Sequence, residues 1–87
     1  MKIKDGFILR EVAGNYIVVA VGNAVKDFNG VITLNETGSF LWKKLEKGAT
    51  EEELKTALLE EYDVTEEIAT RDIGLFVKKL TDAGLVK

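Results

Sequence analysis

The sequence predicts an α+β fold, winged-helix-like, with a three-stranded antiparallel sheet followed by three helices. Two observations carry this. Residues 1–34 are short β-rich runs parted by Gly-Asn turns, and residues 35–87 are three amphipathic segments bounded by helix caps and glycines. Neither layer can bury its apolar side alone, so the helices must cover one face of the sheet.

The first strand is Phe7 to Val12 and the second is Tyr16 to Val21, with Ala13-Gly14-Asn15 as the hairpin turn. A second turn region runs from Gly22 to Gly30, punctuated by Gly22-Asn23 and Asn29-Gly30. Val31-Ile32-Thr33-Leu34 is the third strand, which completes a meander. Asn35 caps a helix running to about Lys47, where Gly48 stops it; Leu41, Trp42 and Leu45 share its inner face. Gly38 lies in the first turn of that helix. It lowers helix propensity by about 1 kcal/mol, so a close approach of another group, such as the third strand, is its expected use. Thr50 and Glu53 form a capping box for the second helix, which turns Leu54, Ala57, Leu58 and Tyr62 inward. Asp63-Val64 breaks the chain and Thr65 caps the third helix. Its stripe is Ala69, Ile73, Phe76, Leu80 and Ala83. Gly84 ends it, and Leu85-Val86 is expected to fold back on the domain.

Composition narrows the function. The 87 residues make a single domain over 1–87, and 46% hydrophobic with 31% charged residues is a globular balance. Cysteine and histidine are absent. That removes disulfides, thiol nucleophiles, the commonest general base and the commonest transition-metal ligand. Glu51-Glu52-Glu53 suits a helix N-terminus, and Glu60, Glu61 and Asp63 belong on a solvated face, so none reads as catalytic or metal-binding. No phosphate-cradling glycine motif is present. The expected protein is therefore not an enzyme and needs no cofactor; its function is binding. The net charge of −3 argues against nucleic acid. The longest apolar run, Tyr16 to Val21, is too short for a membrane span, and no secretory signal is visible, so the expected location is cytoplasmic.

The third strand is the expected site. In a meander it lies on an edge, and Val31, Ile32, Thr33 and Leu34 include neither the Lys nor the Pro that often guards edges. On the third helix Ile68, Asp72, Leu75 and Lys79 line up beside the core stripe, like the floor of a groove. An open edge beside an apolar helix is what strand addition of a peptide requires. Ile32 and Leu34 face the core, and Val31 and Thr33 face away. Other readings stay open at this point. The stripe can be a wide core face, and the edge can be covered by the termini. The domain can be a winged-helix nucleic-acid binder, or an adaptor or dimer pairing through its edge strand. Against nucleic acid, Arg71, Lys78, Lys79 and Lys87 are cancelled by Glu66, Glu67, Asp72 and Asp82 on the third helix and tail.

The block from Asp27 to Trp42, with its strand ending in Leu34-Asn35, its Gly38 turn and its Leu41-Trp42 pair, resembles the PqqD family. So do Gly48-Ala49-Thr50, the segment Glu60 to Val64, Phe76 to Leu80, and Gly84-Leu85-Val86. The resemblance runs from about Phe7 to Lys87. It implies a winged-helix-like peptide recognition element of pathways that modify ribosomally made peptides. Such a domain binds the leader segment of a precursor peptide and delivers it to a modifying enzyme, often a radical S-adenosylmethionine protein. The leader adds to the third strand and lies against the third helix. Quinone cofactor (PQQ) biosynthesis, lasso peptides and sactipeptide-type products all use such domains, and the resemblance does not choose among them.

Overall fold

The computed structural model describes residues 1–26 and 30–87. Asp27, Phe28 and Asn29 lie outside them, including half of the Asn29-Gly30 turn. The order is β1 (Phe7–Val12), β2 (Asn15–Ala20), a 3-10 turn (Gly22–Lys26), β3 (Ile32–Leu34), α1 (Glu36–Glu46), α2 (Glu51–Glu61) and α3 (Glu66–Asp82). The strands form one antiparallel sheet in the order β1-β2-β3.

The hairpin turn is shorter than the sequence reading. Asn15 pairs with Val12, which leaves only Ala13 and Gly14 between the strands, at φ 52° and 81°. Two central residues at positive φ are the type I′ geometry whose twist matches that of the strands. Ala13 accepts that strained conformation, so the turn carries no Asn-Gly signal in the expected place. Two strand limits also shift: β2 ends at Ala20, and Val31 falls just before β3. The 3-10 turn at Gly22–Lys26 was not expected in the loop.

The helix starts follow the caps. The side chains of Asn35, Thr50 and Thr65 accept from the backbone N–H of Gly38, Glu53 and Ile68, and Glu53 returns the bond to Thr50. Each such cap stabilises a helix by about 1 kcal/mol. Gly48 and Gly84 end α1 and α3 at positive φ, as read. The core joins Val18 and Leu34 from the sheet to Leu41, Trp42 and Leu45 of α1. Leu54 and Leu58 of α2, Ala69, Ile73, Phe76 and Leu80 of α3, and Ile3 and Leu85 from the terminal segments complete it. Trp42 is fully buried, and its indole N–H has no hydrogen-bond partner among the described residues. Tyr62 meets Phe40 edge to face at 5.5 Å. Burial pushes its phenol above the ordinary range, with the Glu36 and Glu61 carboxylates adding to the effect.

The two terminal segments meet beside the end of α1, where Ile3 N–H donates to the Leu45 carbonyl. Ile3 bridges Val86, Lys4 N–H donates to the Leu85 carbonyl, and Lys87 N–H donates to that of Lys2. Ile3 and Leu85 are buried by this clasp. The terminal segments thus pair with each other, and the described hydrogen bonds put neither of them on β3.

Candidate functional site: the β3 edge and its groove

The hairpin decides which way β3 bonds. In a two-residue hairpin the flanking pair, Val12 and Asn15, exchanges both main-chain bonds. Bonded and non-bonded pairs then alternate, so Arg10–Ile17 is the next bonded pair. The N–H and C=O of Ile17 therefore point to β1, and those of Tyr16 and Val18 point to β3. Tyr16 pairs with Leu34 and Val18 with Ile32. Ile32 and Leu34 thus bond inward, and Thr33 presents both its N–H and its C=O to the open edge. A side chain corroborates this: Lys79 Nζ donates to the Thr33 carbonyl at 3.1 Å. Of the expected edge residues Val31 to Leu34, Thr33 is thus the one in β3 that bonds outward, with Val31 next in phase but outside the strand.

Side chains alternate as the sequence implies. Leu34 is buried and Ile32 half-buried, whereas Val31 and Thr33 are exposed. A groove of about 430 Å³ lies between this strand and α3. Thr33 and Leu34 form one wall, and Asp72, Leu75, Phe76 and Lys79 the other. Leu75 is 62% exposed although apolar, so it is available to a partner rather than spent on the core. That answers the wide-core reading for this residue. Ile68 lies further toward the start of α3 and does not line the groove; it is 38% exposed.

Asn35, Thr37, Gly38, Leu41 and Phe76 also line the groove, and the sequence reading gave them no binding role. Gly38 explains how they reach it. A Cβ at position 38 would stand 3.1 Å from Asn35 Oδ1 and 3.2 Å from Leu34 Cβ. The missing side chain lets α1 start tight against β3, the close approach expected of this glycine. The Asn35 cap, accepting from Gly38 N–H at 2.7 Å, fixes the same corner. The signal in the sequence was a glycine in a first helical turn, which marked the approach but not the cavity beside it.

Charge is sparse in the groove. Asp72 stands 3.6 Å from Arg71 Nε. Lys79 has no ion-pair partner among the described residues. No cluster of three or more metal-ligating side chains occurs among the described residues, and no helix is long and apolar enough to cross a membrane. The chemistry on offer is one outward main-chain donor and acceptor, an apolar floor and two opposite charges.

Sheet, helices and open edge define a winged-helix-like α+β domain with a groove along its third strand. Its family follows from the sequence: the profile described as coenzyme PQQ synthesis protein D (PqqD) matches residues 14–86, so the chain belongs to the PqqD family. Two solved structures share the fold. One is TbiB1 in complex with the TbiA(beta) leader peptide, at 25% identity and a TM-score of 0.78, covering 100% of this chain and 95% of that one. Another is lasso peptide synthetase B1 complexed with the leader peptide, at 20% identity and a TM-score of 0.74, covering 97% and 93%. No curated protein matches the chain in sequence.

Proposed function

We propose that this domain is a leader-peptide recognition element. It binds the leader segment of a ribosomally made precursor peptide as an added strand on β3 and presents the precursor to a separate modifying enzyme, a radical S-adenosylmethionine protein or another maturase. The observation that carries the reading is Thr33, whose N–H and C=O face an open edge above the exposed Leu75. TbiB1, similar along the whole chain, is a leader-peptide complex, which supports the same class of ligand here.

In this mechanism the domain is passive. An extended leader exchanges main-chain bonds with Thr33, each worth only about 1 kcal/mol net. The ladder therefore sets direction and register. Affinity comes from apolar leader side chains that enter the groove and cover the exposed Leu75, about 1.5–3 kcal/mol for each large apolar side chain buried. Ile32 and Leu34 hold the edge against β2, Val31 extends it by one residue, Asp72 and Lys79 act at its rim, and Ile68 serves only a leader long enough to pass beyond Asp72. The domain performs no chemistry on the peptide, and it acts in the cytoplasm, where precursors are made; neither nucleic acid nor membrane is a partner.

Hydrogen exchange tests this directly. A random ten-residue peptide library is panned on the domain, and the best binder is added at saturation. Protection gained at Thr33 and its neighbours from Gly30 to Leu34 is expected. Protection confined to α2, or no enriched peptide, overturns the reading. Mass spectrometry of the same peptide incubated with the domain alone should show no change in mass.

A further inference from the structure

Lys78 and Lys79 are neighbours on α3 with different partners. Lys78 Nζ lies 2.9 Å from Asp82 Oδ2 on its own helix. Lys79 Nζ instead reaches across the groove to the Thr33 carbonyl, 46 residues away in sequence. An ammonium has three donors and a full charge, and a single neutral carbonyl leaves most of that capacity unused. The oxygen it holds is the one that faces the open edge.

We infer that Lys79 is a placeholder for the incoming strand, and that it selects peptides carrying an acidic residue two positions from an apolar one. This rests on the strand-addition reading above. A strand added to β3 must donate an N–H to the Thr33 oxygen. That oxygen has two lone pairs, so the ammonium either shares it or swings aside. In both positions its charge lies against the new strand.

The side-chain phase follows from Thr33. Residues directly opposite in a ladder point to the same face. Thr33 points away from the core, so the peptide residue paired with it does too. The residues on either side of that partner point back, toward α3. They are two positions apart, which is roughly 6.7 Å along a strand. Leu75 and Lys79 are four positions apart on α3, which is roughly 6 Å along a helix. The two spacings match. One flanking side chain meets the apolar Leu75, and the other meets the Lys79 ammonium, where a carboxylate of Asp or Glu replaces the carbonyl as its partner.

The test pans the ten-residue library in low-salt buffer on wild type, Lys79→Gln and Lys79→Glu. Lys79→Gln retains a donor for the Thr33 oxygen and loses only the charge. Lys79 is exposed, so both variants should fold, and circular dichroism verifies it. Wild type should enrich acid-x-apolar or apolar-x-acid pairs roughly three- to fivefold over input, the scale of an exposed ion pair. Lys79→Gln should lose the acidic preference and keep the apolar one. Lys79→Glu should exchange the acid for Lys or Arg. The same acidic preference on all three proteins, or apolar enrichment with no charge preference on wild type, overturns the inference and leaves strand addition standing. If wild type enriches no peptide, strand addition fails and this inference with it.

Discussion

The two edges of the sheet are built differently. β1 is six residues long and carries Arg10 and Glu11, both exposed, within the strand itself. β3 is three residues long, and no residue in it is charged. Its cover is Lys79, reaching over from α3. A charge built into a strand guards the edge permanently, because any strand that pairs there must pass it. A lysine borrowed from a helix can move without disturbing the strand. The same sheet thus has one edge closed to partners by its own sequence and one edge closed only until a better partner arrives. Beside the second edge lies a groove with the exposed, apolar Leu75 on its floor.

The floor is where the largest effect is expected. Leu75→Glu removes an apolar contact worth about 1.5–3 kcal/mol if fully buried by peptide. That corresponds to a tenfold to hundredfold loss of affinity, read by calorimetry with a library-selected peptide. Since Leu75 is mostly exposed in the free domain, the unfolding midpoint should stay nearly constant. Intact affinity in a folded variant would mean that the floor is irrelevant and that the two edges differ in main chain alone.

A smaller effect, and a sharper comparison, comes from proline at each edge. Thr33→Pro removes the outward N–H of β3. Glu11→Pro does the same for β1, because Glu11 opposes Tyr16 in a non-bonded pair and so bonds outward. Proline is tolerated on edge strands, so both variants should fold. Peptide affinity should fall roughly tenfold for Thr33→Pro, from one lost bond of about 1 kcal/mol and the ring in the path of the peptide. It should not change for Glu11→Pro. Equal losses at the two edges would erase the distinction between them.

The elements were legible because their signals were local. Asn35, Thr50 and Thr65 announced the helix starts, Gly48 and Gly84 two of the ends, and the stripe from Ala69 to Leu80 the buried face of α3. The hairpin limits were less so, because Ala13 takes a positive φ that alanine rarely adopts. Leu75 and Lys79 were legible as a line on α3 offset from the core. That Thr33 bonds outward was not, since it depends on counting pairs from a turn whose length was one residue off. The reach of Lys79 to Thr33 was hidden, and so was the cavity beside the Gly38 corner. Both depend on how α3 sits against β3, which are far apart in sequence, and no period or cap encodes that.

The smallest effect should come from a charge that touches neither edge. Lys55 Nζ on α2 lies 3.3 Å from Glu66 and 3.6 Å from Glu52. Its hydrogen bond to Glu66, then the Glu52 charge, hold its ammonium above the ordinary lysine value of 10.5. A lysine raised in the folded state adds stability that is fully present below its unfolded value. That contribution is lost as pH climbs through the folded value. The glutamates are 77% and 73% exposed, so water and salt screen the bridge strongly. Lys55→Met retains most of the packed stem and deletes the charge. At neutral pH and low salt it should lower the thermal midpoint slightly. The difference should shrink in about 1 M salt, where the screening length is about 3 Å. It should shrink again as the buffer is raised past 10.5 and wild type loses the same proton. Peptide affinity should be unchanged throughout. A midpoint difference that widens with alkalinity would mean that the ion pairs of Lys55 do not stabilise the folded state. A change in affinity would mean that the α2–α3 seam reaches the groove, and that the β3 edge is not the self-contained site its geometry describes.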